Sequence, residues 1–149
     1  MAHSADLTAT RRLLAEDRGL CVVSVTRPDG SISSSLVNAG PLPHPVDGTE
    51  VLGLVVRAGA YKYRRLRVAP RLTLTVARQW EWQAVEGPVE LVGPDDPMAG
   101  VALPALLRDV FRAAGGTHDD WDTFDRVMVE ESRVAVLVRP HRIYGQTQR

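Results

Sequence analysis

The sequence predicts a mainly β protein: a small antiparallel barrel with peripheral helices, forming one domain over residues 1–149. Three observations carry that expectation. Six short segments run or alternate apolar in the manner of strands, with turn signals between them. Helical periodicity is confined to short stretches that interrupt or flank those strands. The 149 residues, 44% of them hydrophobic, suffice for one core, and no linker, repeat or low-complexity stretch divides the chain.

Residues 7–17 read as a short helix, with Leu7, Leu14 and Ala15 near one face and Asp6 placed to cap it. Leu20–Thr26 is almost continuously apolar and rich in valine, as a buried strand requires. Pro28, Asp29 and Gly30 mark a turn, and residues 31–38 return antiparallel. On that second strand Ile32, Ser34 and Leu36 share one face, and Ser33, Ser35 and Val37 the other. Residues 40–48 carry three prolines and are expected to form a loop. Glu50–Arg57 is the third strand; Gly59 ends it, and Tyr61–Val68 reads as one short helix stopped by Pro70. Residues 72–77 and 82–92 supply the fourth and fifth strands, and residues 93–97 a loop.

Leu103, Leu106, Leu107, Val110, Phe111 and Ala114 then recur at helical spacing until Gly115 and Gly116 stop them. Asp119 or Asp120 caps a second helix containing Trp121, Phe124, Val127 and Met128. A sixth strand opens over residues 134–138 and is expected to continue to Tyr144.

Composition removes several classes of function. The lone Cys21 forms no intrachain disulfide, and its apolar strand makes it a core thiol rather than a nucleophile. The four histidines, His3, His44, His118 and His141, are far apart in sequence and give no zinc signature. The acids between Asp119 and Asp125 lack calcium-loop spacing and suit a helix start. No Walker loop, G-x-G-x-x-G or G-x-S-x-G is present, so no catalytic residue is assigned. No apolar run approaches the roughly 18 residues of a membrane span. Residues 1–6 carry no signal-peptide pattern, so the expected location is cytoplasmic, away from membranes. Zero net charge argues against a nucleic-acid partner.

Two segments stand out. Residues 51–80 contain seven cations and no acid, whereas residues 81–131 contain twelve acids and three arginines. Within the basic stretch, RAGAYKYRRLRVAPR joins a strand end, a turn and a cationic helix start. Exposed N–H groups there, with Lys62 as a compact charge, suit a phosphate; an arginine-rich solvated face is the alternative. In QWEWQAVEG, Trp80 and Trp82 alternate with polar residues and are expected to point the same way from one strand. They would cover a flat ring, fill a subunit interface or simply pack.

The blocks GLCVVSVTRPDGSISSSLV, KYRRLRVAPRLTLTV, WEWQAVEGPVEL and DDWDTFDRVMVEESRVAVLVRPHRIYG, in that order, resemble the flavin/deazaflavin oxidoreductase superfamily. This is the split β-barrel group that includes pyridoxamine 5'-phosphate oxidase, and the chain looks most like its small actinobacterial members that use coenzyme F420. The segment 40–48 looks longer than in those relatives. The resemblance implies a six-stranded antiparallel split barrel and a homodimer with cofactor sites between the subunits. It implies F420, or alternatively FMN, as the cofactor, and a small conjugated molecule as the hydride acceptor.

By the same resemblance Lys62 holds the cofactor phosphate, with Arg65 and Arg67 beside it. Ser33 and Ser35 approach the ring, and Val55, Val56 and Arg57 border ring and ribityl chain. Trp80 and Trp82 match aromatic positions, and His141 and Tyr144 lie near the partner's cofactor. The arginine surplus, with Arg64 and Arg71 included, favours F420 and its carboxylate tail over FMN. A non-catalytic cofactor carrier of the same fold is one alternative. A basic-groove nucleic-acid binder that stacks bases on Trp80 and Trp82 is a more distant one.

Overall fold

The structure, a computed structural model, describes residues 6–148; His3 and the rest of the segment before Asp6 lie outside the described residues. In chain order the elements are α1 (Thr8–Glu16), β1 (Leu20–Thr26), β2 (Ile32–Pro43), β3 (Glu50–Arg57), α2 (Tyr61–Val68), β4 (Arg71–Arg78), β5 (Glu81–Val92), α3 (Leu103–Ala113), α4 (Trp121–Glu130), β6 (Arg133–Val138) and β7 (Arg142–Gln146). Six strands close an antiparallel barrel in the order β4-β1-β2-β3-β6-β5, with β5 returning to β4. β7 adds to β5 outside this ring.

The barrel depends on strands that change neighbours along their length. β2 pairs with β1 from Ile32 to Asn38, then with β3 from Ala39 to Pro43. The expected loop over residues 40–48 is therefore corrected: its first part is strand. Prolines are tolerated there because of where their missing N–H would point. His44 N donates to Thr49 O, and Ala39 N donates the other way, to Gly19 O. Ladder bonds alternate along a strand, so Pro41 and Pro43 stand where an N–H would face away from β3.

β5 makes a similar change near Gly87: residues before it lie between β4 and β7, and residues after it pair with β6. The expected single strand from Val134 to Tyr144 is accordingly two strands. Pro140 lies in the break, and the chain there crosses Gly87 so closely that a Cβ on that glycine would be 1.8 Å from Arg139 O. The helix caps also differ in part from expectation. Asp120 caps α4 by accepting from Thr123 N at 3.1 Å. At α1 the cap position is Leu7, and Asp6 accepts from Thr8 N at 2.9 Å.

Inside the barrel Val23, Val25, Leu54, Leu74, Val85 and Val136 are buried, with Leu13 and Leu14 of α1 and Leu66 of α2 packed among them. Cys21 belongs to this core, and burial pushes its thiol up to about 12. A second core under α3 and α4 joins Leu106, Leu107, Val110 and Phe124 to Val51 and Leu137. At the β2–β3 hairpin the buried His44 lies 3.1 Å from Glu90. Arg139 spans Glu90 at 2.7 Å and Asp47 at 2.8 Å, so a charged clasp ties this hairpin to β5 and to the end of β6. No helix among the described residues is long and apolar enough to cross a membrane.

α3 lies directly on the sheet where two glycines, Gly40 and Gly53, face each other across β2 and β3. A Cβ on Gly40 would fall 1.7 Å from Ala113 O, which is backbone and cannot swing aside. Gly40→Ala is expected to destabilise the fold by about 2–3 kcal/mol or more through overpacking. Gly59→Ala, where a Cβ meets open space, is expected to stay within about 1 kcal/mol of the parent. Urea unfolding of the two variants checks both values.

Candidate functional site

Because β2 leaves β3 at Asn38, two strand edges face each other without pairing. Ala58 N donates to Ser132 O, so alternation along β3 turns the Val56 backbone toward β6 and the Val55 and Arg57 N–H groups toward the split. On β2, Arg27 N donates to Ser31 O, which turns Ser33, Ser35 and Val37 toward β1. The backbone groups of Ser34, Leu36 and Asn38 consequently face the split. Unpaired strand edges hold donors and acceptors that a planar polar ligand can use.

A cleft of about 670 Å³ opens at this split. Leu36, Val37 and Asn38 of β2 and Val55, Val56 and Arg57 of β3 form its strand walls. Phe111, Phe124 and Met128 bring an apolar surface from α3 and α4. Ala60 and Lys62 contribute the start of α2, whose N-cap has no side-chain hydrogen bond. First-turn N–H groups of such a helix attract anions.

The cleft is cationic. Arg18, Arg57, Lys62 and Arg133 line it, and among the described residues no acid does. Glu131, at the mouth, accepts from Arg57 at 3.1 Å and from Arg133 Nη2 at 2.9 Å. Lys62 and Arg18 have no acidic partner among the described residues.

α2 is held in place from two sides. Tyr63 Oη donates to Asp96 Oδ2 at 2.7 Å, and Arg67 reaches Asp96 Oδ1 at 3.3 Å while lying over the Tyr63 ring. Burial first, then Asp96, pushes the Tyr63 phenol up to about 12, so it remains a donor throughout the ordinary pH range. On the other side Arg65 Nε donates to Thr26 O at 2.7 Å.

Of the residues singled out in the sequence, Val55, Val56, Arg57 and Lys62 come together in this cleft. Ser33 and Ser35 do not line it; their side chains are half-buried on the face of β2 that carries Val37. Arg65 and Arg67 are engaged by Thr26 and Asp96. His141 lies between β6 and β7, its Nδ1 3.5 Å from Arg71. Tyr144 meets Trp82 edge-to-face at 6.0 Å on the outside of the barrel.

Trp80 corrects an expectation outright. Arg78 pairs with Glu81, so Gln79 and Trp80 are a two-residue turn and not strand. Gln79 takes φ +56°, and Trp80 is 77% exposed. The alternation that would align Trp80 with Trp82 starts only at Glu81. Acids from elsewhere in the chain reach the acid-free stretch in space: Arg57, Arg67 and Arg78 lie beside Glu131, Asp96 and Glu16. Sequence reading missed Arg18 and Asn38, which carry no motif. It also placed Phe111 and Phe124 only as helix core, although both border the cleft.

No family model matches the chain. Among solved structures, an F420 reductase aligns with a TM-score of 0.61 at 20% identity, over 91% of this chain and 96% of that one. A conserved hypothetical protein of Mycobacterium tuberculosis aligns at 0.67 and 18% identity, over 97% of this chain and 87% of that one. A pyridoxamine 5'-phosphate oxidase-related, FMN-binding protein of Nostoc punctiforme aligns at 0.60 and 12% identity, over 96% and 84%. The chain shares the fold of these proteins, a six-stranded split β-barrel to which β7 adds a further strand.

Tyr63→Phe tests the anchoring of α2. Loss of this one hydrogen bond is expected to lower stability by about 1–2 kcal/mol, read from chemical unfolding. Its effect on anion binding at the cleft, read by titration with inorganic pyrophosphate, should be smaller than that of Lys62→Ala.

Proposed function

We propose that the chain is a cytoplasmic oxidoreductase that binds coenzyme F420, with FMN as the alternative, and reduces a small conjugated acceptor. One observation carries this reading: the barrel's split sets two unpaired strand edges beside a cationic cleft in which Lys62 has no acidic partner among the described residues. The residues present fit such a group. Lys62 and the start of α2 suit its phosphate, Val55 and Arg57 offer backbone N–H groups to a ring edge, and Phe111, Phe124 and Met128 offer an apolar face. When bound, the cofactor supplies the hydride, from C5 of a deazaflavin or N5 of a flavin. The chain's own residues bind, orient and exclude water, and one proton taken up at the acceptor completes the two-electron reduction. Two structural neighbours, an F420 reductase and a pyridoxamine 5'-phosphate oxidase-related, FMN-binding protein, support the same reading.

F420 is placed first because its tail carries carboxylates that FMN lacks. With Arg65 and Arg67 engaged, the cation of α2 left for such a tail is Arg64, exposed beside the Tyr61 ring. Exposed pairs contribute about 0.2–1 kcal/mol each, so the preference should be modest and salt-sensitive.

The outer face of β1 and β2 supports a homodimer. Val22 faces Leu36 and Leu20 faces Asn38 in register, and Leu20, Val22, Ile32 and Leu36 are all exposed. Ser24 and Ser34 between them are bonded to each other at 2.9 Å, which keeps the face flat and self-satisfied. Leu36 belongs both to this face and to the cleft, so a second copy seated there would border the cofactor site.

Titration with F420 and FMN at two salt concentrations tests the cofactor. F420 is expected to bind more tightly, with an advantage that shrinks as salt rises; equal constants and equal slopes would put FMN first, and no binding of either would end the proposal. Lys62→Ala should weaken binding by about 1.5–3 kcal/mol, roughly 10- to 150-fold, with the fold intact. Sedimentation should show a species near twice 16.3 kDa, converted by Val22→Glu to a folded monomer. A parent protein that sediments as a monomer with cofactor present would remove the shared-site arrangement.

A further inference from the structure

Behind the cleft lies a second recess of about 400 Å³. Leu14 and Ala15 of α1, Pro41 of β2 and Ala113 of α3 give it apolar walls. The recess and the cleft share two residues, Arg18 and Gly115, so Arg18 borders both. The other cation at the recess, Arg11, is paired with Glu50. Arg18 has no ion pair among the described residues, and no acid lines either space.

The backbone of Arg18 is held in an unfavourable conformation. Its φ is +53°, the left-handed region that a helix end ordinarily gives to glycine. Glycine is available next door, at Gly19, with φ +79°. Asn38 Nδ2 donates to Arg18 O at 3.0 Å, and Gly115 packs against its backbone so closely that a Cβ there would be 2.9 Å from Arg18 Cα. The backbone of Arg18 is thus held in a conformation that arginine does not favour, while its exposed side chain borders both spaces.

Arg18 enters the cleft from a different element than Lys62 does. It is bonded to β2 at Asn38, whereas α2 is tied through Arg65 to Thr26, the partner of Ile32. Six residues of strand separate Asn38 from Ile32, roughly 20 Å. Lys62 takes the phosphate in the reading above, which assigns no anion to Arg18.

We propose that Arg18 and the recess behind it bind the acceptor, and that the acceptor is a conjugated carboxylic acid. Its apolar body fills the recess, its carboxylate pairs with the Arg18 guanidinium, and its conjugated system reaches the cleft. The substrate class rests on the oxidoreductase reading above; the carboxylate site rests on the place of Arg18 in both linings and its lack of an ion pair among the described residues.

Calorimetric titration of the F420-saturated protein with cinnamate, sorbate and their methyl esters tests it. At least one acid should bind tenfold or more tightly than its ester. Arg18→Gly, which suits the left-handed backbone and should fold at least as well, should abolish that preference while leaving the esters and F420 unchanged. Arg18→Lys should restore part of it. Acids and esters that bind alike, or a preference that survives Arg18→Gly, would overturn the site. Weakened F420 binding in Arg18→Gly would overturn it too, by assigning Arg18 to the cofactor. If neither F420 nor FMN binds the parent protein, the oxidoreductase reading fails, and the same acid-ester comparison on the unloaded protein still decides the carboxylate site.

Discussion

The change of partner by β2 at Asn38 and Ala39 is the constraint on which the rest of the molecule depends. A strand that stayed with one neighbour would leave the sheet open or close it without a gap. By pairing first with β1 and then with β3, β2 closes the barrel and leaves Ser34–Asn38 backbone groups facing Val55 and Arg57 across a split. The close approach of α3 over Gly40 and Gly53 lies just beyond that change. The corner formed by Arg18, Asn38 and Gly115 lies just before it. Core, cleft and recess therefore share one cause.

Charge in this protein is organised in space and not along the chain. The basic stretch looks like a free anion site only while its partners are out of sight. Folding neutralises Arg57, Arg67 and Arg78 with acids from distant segments. What remains is a smaller set of cations at the cleft, with Lys62 and Arg18 drawn from different elements. A binding site assembled in this way discriminates by position: each unpaired cation can receive one anionic group at one distance from the strand edges.

Much of the fold was legible in local signals. Tyr61–Val68 is a helix in the structure as in the sequence, because Gly59 and Pro70 bracket it. Leu20–Thr26 and Glu50–Arg57 also keep their expected limits, since apolar runs and turn residues agree there. The errors arose where a local signal depended on distant geometry. Pro41 and Pro43 read as loop because the direction of a missing N–H is a property of the pairing. Trp80 read as strand because a two-residue turn is set by the register of β4 against β5. For the candidate site, the α2 cation and the β3 segment were legible, and Arg18 was not. Nothing near Arg18 in sequence distinguishes it from an ordinary helix-terminal arginine; its meaning comes from Asn38 and Gly115.

Cys21 has a consequence of a different kind. Its thiol sits in β1, between β2 and β4, and burial keeps it protonated up to about pH 12. Alkylating reagents attack the thiolate, so the folded barrel shields its only cysteine both by access and by charge state. Reaction must wait for β1 to leave its neighbours. The protein thereby carries an internal clock of barrel opening, and the rate at which Cys21 takes up a label is set by how often the closed ring comes apart.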